Sequence, residues 1–190
     1  MPAVPRVDDE LDLLAAWVPL AEARIVEAGC GAAALARALV QRFPGASVVG
    51  LEVDERQHAK NIAQPAERLH FVPAPAQRIP FDDATFDGAL MLKSLHHVPV
   101  AEMDAALQEL ARVLRPGGWL YVSEPVYAGA LNEIILPFND EGVVRRAAQD
   151  ALDRAVAGGR WVPQGEHRFE MPVRFEDFAD FKRRMMRPTF

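Results

Sequence analysis

The segment Glu27–Ala34 holds the residues with the clearest chemical potential in the chain. A short apolar run ends at Glu27, Gly29 and Gly31 turn the backbone, and a helical pattern begins directly afterwards. Glycine lets a backbone approach a ligand closely. The first turn of a helix offers unpaired N–H donors and the positive end of the helix dipole. The segment therefore predicts a cofactor site, and two classes of cofactor fit it.

The first class is a nicotinamide dinucleotide. Gly29, Gly31 and Ala34 satisfy the G-x-G-x-x-G/A pattern of dinucleotide-binding turns, and Glu52 follows at about the distance expected for a ribose contact. A dehydrogenase, however, usually has an apolar residue where this chain has Glu27, two positions before the first glycine. The second class, S-adenosylmethionine, accounts for that acid.

With Glu27 included, the turn resembles the first motif of the class I, Rossmann-like methyltransferases. The likeness is to their small-molecule members of the ubiquinone and menaquinone biosynthesis type. The stretch Val49–Val53 is similar to the family's second motif, whose terminal acid, Glu52 here, holds the ribose hydroxyls. A carboxylate suits that role because it accepts both hydroxyl protons in a bidentate fork. The resemblance also implies that Val53 packs on the adenine.

Three later segments resemble the same family, and no dehydrogenase pattern explains them. Ile79–Phe81 followed by Thr85–Asp87 is similar to its "lPf…sFD" stretch, Ser94–Val98 to its "slhHv" segment, and Leu114–Gly118 to its "LrPGG" turn. The five fragments follow one another in the family's order and spacing within residues 24–125. The resemblance implies S-adenosylmethionine as cofactor and S-adenosylhomocysteine as product. The residues expected to bind it are Glu27, Gly29, Cys30, Gly31, Glu52, Val53, Ala76, Gln77 and Lys93.

The chain departs from the family pattern at two places. Ala33 replaces the third glycine, as a small residue does in many members. After the third strand the family usually has an acid that binds the adenine amino group, whereas this chain has Pro75 there, so the amide oxygen of Gln77 or the backbone of Ala76 would supply the contact. Lys93, at the end of an apolar strand, either extends into solvent or meets an acid such as Glu27 or the cofactor carboxylate.

The acceptor side of the site is expected near two consecutive histidines. Because adjacent residues on an extended chain point to opposite sides, one of His96 and His97 packs inside and the other lines the substrate pocket. His97 is the candidate general base, since histidine has a suitable unperturbed pKa. Glu124, at the end of the fifth strand, and the lid residues Tyr127 and Asn132 are expected to contact the substrate.

No metal site is expected, because His96, His97 and Cys30 show no recognisable ligand spacing. Cys30 lies at a helix start, a position that lowers the pKa of a thiol. The family often has a cysteine here without using it in catalysis, so Cys30 is not expected to be a nucleophile. Arg145 is expected on a solvent-exposed helix face.

Composition narrows the class of protein. The chain has 190 residues, of which 50% are hydrophobic and 25% charged, so it has the composition of a globular domain. Its 21 basic and 27 acidic residues argue against nucleic acid as the main partner. One cysteine excludes an internal disulfide framework and a four-cysteine zinc site. No signal peptide and no membrane span are evident, so a cytoplasmic protein is expected.

Strand-like and helix-like patterns alternate as far as about residue 125. Strands are predicted at Arg24–Ala28, Leu69–Val72 and Phe86–Leu92, and a helix capped by Asp54 at Glu55–Ile62. A last helix is predicted at Phe175–Arg187. The strand segments are continuous apolar runs, which favours a parallel sheet covered on both faces. We therefore predict a doubly wound, Rossmann-like α/β fold in a single domain, residues 1–190. Its cofactor core covers about residues 20–125, and its lid and C-terminal region cover about residues 126–190.

The family sheet normally has seven strands, but only one further candidate strand is evident, within His167–Val173. The last strand is thus expected to be missing, unless residues 160–175 form both final strands. Either the chain is truncated or a second copy in a homodimer covers the exposed sheet edge. The predicted function is methyl transfer to an O, N, S or C atom of a small molecule. Alternatives are a methyltransferase-fold protein that binds the cofactor without transfer, and a nicotinamide-dependent oxidoreductase.

Overall fold

The computed structural model describes residues 4–186 and centres on a five-stranded sheet. The strands are β1 (Arg24–Ala28), β2 (Ser47–Leu51), β3 (Leu69–Val72), β4 (Phe86–Leu92) and β5 (Leu114–Ser123). All four pairings are parallel, and the strand order is β3-β2-β1-β4-β5. The chain therefore moves outward from β1 to β3 and returns to the other side of β1. This is the doubly wound α/β sheet that the sequence predicts.

The α-helices formed by the described residues are α1 (Glu10–Trp17), α2 (Ala34–Arg42), α3 (Glu55–Ile62), α4 (Met103–Val113), α5 (Ala130–Ile135), α6 (Gly142–Ala157) and α7 (Phe178–Phe181). Two aspartates fix helix starts. Asp9 accepts a hydrogen bond from the Leu11 N–H, and Asp54 accepts them from Arg56 and Gln57. Such side chains satisfy N–H groups that have no partner inside the helix.

Consecutive residues of a strand pack into opposite layers. Val26 joins a core with Leu107 of α4, whereas its neighbour Ile25 packs with Leu14 of α1 and Leu39 of α2. All five side chains are buried. Because the sheet is covered on both faces, most of its strand positions are apolar, as in other parallel sheets, and Glu27 is the buried acid of β1.

Strand β5 is longer than the sequence indicates. Phe86 pairs with Leu114 and Gly88 with Trp119, so residues 115–118, predicted as a separate turn, bulge out between two paired segments of one strand. An added Cβ on Gly88 would lie 2.1 Å from the ring of Trp119. The missing side chain at Gly88 therefore makes room for the indole.

The C-terminal part differs from the expectation. Residues 167–173 form no strand; Glu170 makes one isolated parallel bridge with Arg6. The alternative that residues 160–175 supply two strands is wrong, because the backbone there lacks the regular pairing of a ladder. Between residues 4 and 186 no strand pairs with the outer edge of β5. The expected last helix is split into α7 and a π-helical segment, Lys182–Met186.

The domain limits and that last helix extend into residues 1–3 and 187–190, which lie outside the described part. Within residues 4–186 no helix is both long enough and apolar enough to cross a membrane.

Candidate functional site

The predicted site residues lie where the carboxyl ends of the strands meet. Glu27 is the next-to-last residue of β1, Glu52 directly follows β2, and Lys93 directly follows β4. The chain reverses its direction across the sheet between β1 and β4, and such a switch point leaves a crevice for ligands. The fold therefore places all three charged residues at one edge of the sheet.

The glycine turn after β1 is closed on one side and open on the other. Gly29 has φ +72°, and an added Cβ would lie 2.8 Å from the Cβ of Ser94. Gly31 also has a positive φ, +51°, but no heavy atom lies within 4 Å of its virtual Cβ. Gly29 is therefore required by packing against Ser94, in the segment after β4, whereas Gly31 faces space that a ligand can fill.

Glu52 ties the end of β2 to that turn. Its Oε2 accepts the Gly31 N–H at 2.8 Å, and its Oε1 accepts the Asp54 N–H at 2.9 Å. A carboxylate has about four lone-pair sites, so each oxygen can still accept a hydroxyl proton. Val53 beside it is 66% exposed, although it is a large apolar residue. This arrangement fits the sequence-predicted ribose and adenine contacts.

Glu27 is the least satisfied group at this edge. Its side chain is buried, and Oε2 has no hydrogen-bond partner. Burial raises its pKa to about 8; the nearby Glu10 and Glu52 carboxylates add to the shift, and Lys93 opposes it. A buried acceptor without a donor is costly. The orphaned oxygen is therefore suited to a ligand that brings an ammonium or another donor.

Lys93 forms an ion pair that the sequence did not indicate. Its Nζ lies 2.6 Å from Oε2 of Glu10, at the start of α1, and not within hydrogen-bond distance of Glu27, the acid first considered. The Tyr121 hydroxyl donates to Glu10 Oε1 at 3.4 Å. Glu10 is only 4% exposed. One signal could have revealed it: Glu10 precedes Leu14 by four residues, so both lie on the buried face of α1.

Cys30 contributes to packing more than its position suggested. The virtual Cβ of Gly50 lies 2.8 Å from its Sγ, and the Asn61 amide approaches the sulfur at 3.8 Å. Burial raises the pKa of the thiol, and the Glu27 carboxylate raises it further. The expectation of a lowered pKa is wrong, because desolvation outweighs the helix start. The Cys30 N–H donates to Leu51 O at 2.9 Å, so this backbone donor already has a partner within the protein.

The loop after β3 carries the two residues considered for the adenine contact. Ala76 is buried. The side-chain amide of Gln77 donates to the carboxylate of Glu102. That bond fixes the amide on the neighbouring 3₁₀ turn, Val100–Glu102.

One histidine is buried and the other exposed, as expected, but the reason given from the sequence is wrong, because Leu95–His97 forms a 3₁₀ turn and not an extended segment. His96 is buried, and its Nδ1 lies 2.5 Å from Oε2 of Glu124. Glu124 Oε1 accepts the Leu95 N–H at 2.8 Å, so both carboxylate oxygens hold the segment after β4. His97 is exposed and its ring centroid lies 4.1 Å from that of His96. Partial burial of its ring lowers the pKa of His97, and His96 adds to this.

The lid contains a polar cluster that the sequence did not predict. Arg145, expected on a solvated face, is only 15% exposed and pairs with Glu141 at 2.6 Å. It also donates to Asn132 Oδ1 at 3.0 Å and to Val126 O at 3.4 Å. The Tyr127 hydroxyl instead donates to Asp140, at 2.8 Å. Arg145 therefore ties α6 to α5 and to the loop after β5.

Potential metal ligands also meet at the lid. One ligand atom from each of His96, His97 and Glu141 lies within 4.8 Å of the others. Glu141, however, is paired with Arg145, and His96 with Glu124. Two of the three potential ligands are therefore already engaged by other protein groups. Cys30, considered with the histidines from the sequence, is not in the group.

Comparison with known proteins agrees with this geometry. A family described as methyltransferase domain matches residues 26–122. A fatty-acid O-methyltransferase from Mycolicibacterium smegmatis is 38% identical over 108 residues, which are 53% of this chain and 36% of that enzyme. A ubiquinone biosynthesis O-methyltransferase from Rhizobium rhizogenes is 29% identical over 165 residues, 84% of this chain and 57% of that enzyme. The chain thus spans between about a third and three fifths of these curated relatives.

Solved structures share the fold. A methyltransferase from Aquifex aeolicus, described as S-adenosylmethionine dependent, has a TM-score of 0.58 at 20% identity, over 76% of this chain and 79% of that one. The [4+2]-cyclase SpnF has a TM-score of 0.56 at 30% identity, over 63% of this chain and 45% of that one. The family match includes the glycine turn, Glu52 and the histidine pair, and it decides against the dehydrogenase alternative. The chain belongs to the methyltransferase domain family, the class I, S-adenosylmethionine-dependent methyltransferases.

Proposed function

We propose that this protein transfers a methyl group from S-adenosylmethionine to a small molecule. The observation that carries the proposal is the buried, unpartnered Oε2 of Glu27 beside an open glycine turn. No group of the described residues donates a hydrogen bond to that oxygen, and the ammonium of a bound ligand would supply the missing donor. The family assignment and the relatives named as methyltransferases support the same reaction.

The residues present fit the cofactor. Glu27 would accept its ammonium, and Glu52 its ribose hydroxyls through the lone pairs that Gly31 and Asp54 leave unused. Val53 offers an exposed apolar surface for the adenine. When bound, the cofactor supplies a methyl group already activated on a sulfonium. The protein contributes position, and orientation alone can lower a barrier by about 7–11 kcal/mol.

We infer an oxygen acceptor, with His97 as the base that takes its proton. His97 is exposed near the lid, and its lowered pKa keeps the ring neutral at pH 7. Glu124 fixes the adjacent His96 through Nδ1. Tyr127, Asn132 and Glu124 are proposed to contact the acceptor. Several relatives are named O-methyltransferases, which supports oxygen over nitrogen, sulfur or carbon.

The lid favours an apolar acceptor. Its exposed apolar side chains are Val126, Tyr127, Ile134, Leu136, Phe138 and Val143. The experiment is a transfer assay with cofactor labelled in the methyl group, against fatty acids, phenols and apolar alcohols. We expect labelled product from at least one class, with roughly 100-fold slower turnover in His97→Gln and parental turnover in His70→Gln, which removes an exposed imidazole on β3. Equal turnover in both variants would rule out His97 as the base.

A second candidate is a protein of this fold that binds the cofactor without transferring its methyl group. One observation favours it: the side chain of Gln77, in the segment where the family has its adenine-binding acid, is bonded to Glu102. A structural neighbour, SpnF, is described as a cyclase. Binding of S-adenosylhomocysteine with no labelled product from any acceptor class would support this candidate.

We also propose that a second copy of the chain covers the outer edge of β5, to which no strand is added within residues 4–186. Exposed strand edges favour such pairing. Sedimentation velocity at micromolar concentration should show a dimer, and a single monomer species would overturn the proposal. The acidic charge supports a partner other than nucleic acid, and the single free, buried Cys30 supports a cytoplasmic setting.

A further inference from the structure

A third buried carboxylate, besides Glu27 and Glu52, lies at the cofactor edge of the sheet, and neither the sequence motifs nor the family match includes it. Glu10 is 4% exposed and lies outside the matched residues 26–122. Its Oε2 lies 2.6 Å from the Nζ of Lys93. The side chain crosses from α1 to the end of β4, 83 residues further along the chain.

Lys93 is held in an unusual conformation by this contact and by its backbone. Its φ is +56°, in the left-handed region that side chains other than glycine rarely adopt. Its N–H donates to Ser123 O at 2.7 Å. The side chain stays 50% exposed, whereas Glu10 is buried. Since an ammonium has three donors, Lys93 can keep Glu10 and still bind a second anion on its exposed side.

Glu27 stands within electrostatic reach of the same pair. Glu10 raises its pKa and Lys93 lowers it. Glu27 has an acceptor without a donor, and Lys93 has a half-exposed cation. These two groups together are complementary to the ammonium and the carboxylate of an α-amino acid.

We propose that Glu10 is a positioning residue, which holds Lys93 for the carboxylate at the amino-acid end of the cofactor. In this proposal the subsite consists of Glu27 and Lys93 at the strand ends, and Glu10 of α1 holds Lys93 in place. The Tyr121 hydroxyl fixes the other oxygen of Glu10, at 3.4 Å. Burial and the Glu10 charge raise the pKa of Tyr121, so its hydroxyl remains a donor. This inference rests on the proposed function, because it takes the cofactor class from it.

Two ligands separate this role from a structural one. S-adenosylhomocysteine carries the amino-acid end, and 5′-methylthioadenosine lacks it. Calorimetry with Glu10→Gln should show affinity for S-adenosylhomocysteine roughly tenfold weaker and unchanged affinity for 5′-methylthioadenosine. Lys93→Met should give the same pattern. Glu55→Gln is the matched control, because Glu55 is also the first residue of its helix but is exposed.

The outcomes are distinct. If Glu10→Gln binds both ligands as the parent does, or loses affinity for both equally, Glu10 does not position the amino-acid subsite. If the parent protein binds neither ligand, the proposed function fails, independently of Glu10. Thermal melting of each variant shows whether the fold is kept. If Glu10→Gln lowers the stability, the same comparison of the two ligands in Lys93→Met tests the subsite instead.

Discussion

The Glu52 carboxylate accepts the Gly31 N–H at 2.8 Å and so links the end of β2 to the glycine turn after β1. Two separate family motifs thereby form one surface. The bond also shows why Glu52 is not a solvated acid: it is only 8% exposed, and both its oxygens are used. The link shows how the carboxylate that we propose to bind the ribose is held in place by the protein itself.

Replacing Glu52 by Gln should weaken cofactor binding much more than it weakens the fold. The amide cannot accept at both ends, so either the Gly31 or the Asp54 N–H loses its acceptor. We expect affinity for S-adenosylhomocysteine to fall roughly tenfold or more, measured by calorimetry. Glu67→Gln removes an exposed acid and should bind as the parent does. Equal affinity in the two variants would contradict the role of Glu52.

The two glycines of the turn should respond differently to alanine. Both have positive φ, which costs about 1–2 kcal/mol for a side chain. Gly29→Ala adds a contact of 2.8 Å with the Cβ of Ser94, so it should lower the free energy of unfolding further than Gly31→Ala does. Gly31→Ala fills open space and should chiefly weaken cofactor binding. Urea unfolding and calorimetry on both variants check this, and the opposite ranking of stability would be inconsistent with the structure.

The stability of the folded chain should depend on the protonation of Glu27. Its pKa is raised from 4.5 to about 8, so between these values the folded protein keeps a proton that the unfolded chain has released. This contribution is fully present below about pH 4.5 and is lost as pH rises through about 8. Glu27→Gln should remove this part of the pH dependence. Urea unfolding of parent and variant from pH 5.5 to 8.5 measures it, and parallel curves would show that Glu27 is not protonated.

Arg145 should control the acceptor side without affecting the cofactor. Arg145→Met removes the bonds to Glu141, Asn132 and Val126 that connect the lid elements. With an acceptor identified, KM for it should rise roughly threefold or more, while affinity for S-adenosylhomocysteine stays unchanged. Arg146→Met, which removes the neighbouring exposed arginine, is the control. If Arg145→Met changed the affinity for S-adenosylhomocysteine and left KM for the acceptor unchanged, Arg145 would act on the cofactor and the prediction would be wrong.

The sequence predicted the sheet well because its signals are local. The limits of β1, α3, β3 and β4 agree with the structure, since apolar runs and caps such as Asp54 mark them directly. The glycine turn could also be placed, because its backbone geometry requires particular residues. Residues 167–173 were misread as a strand, because a short extended pattern without a pairing partner does not form a ladder.

The missed parts of the candidate site depend on tertiary contacts. Glu10 reaches Lys93 across 83 positions, and Arg145 is partly buried, with hydrogen bonds to α5 and to the loop after β5. The spacing of Glu10 and Leu14 indicates that Glu10 faces the core, but no spacing along the chain identifies Lys93 as its partner or the partners of Arg145. The pKa of Cys30 was misjudged for the same reason: the helix start was visible in the sequence, whereas the burial that outweighs it depends on β2 and α3.

The central claim is that the strand ends form a site for S-adenosylmethionine, and calorimetric titration tests it most directly. S-adenosylmethionine, S-adenosylhomocysteine and a reduced nicotinamide dinucleotide would each be titrated into the parent chain and into Glu52→Ala. We predict micromolar binding of the two sulfur compounds to the parent, its loss in the variant, and no binding of the dinucleotide. Absence of binding by both sulfur compounds, or binding of the dinucleotide alone, would contradict the account.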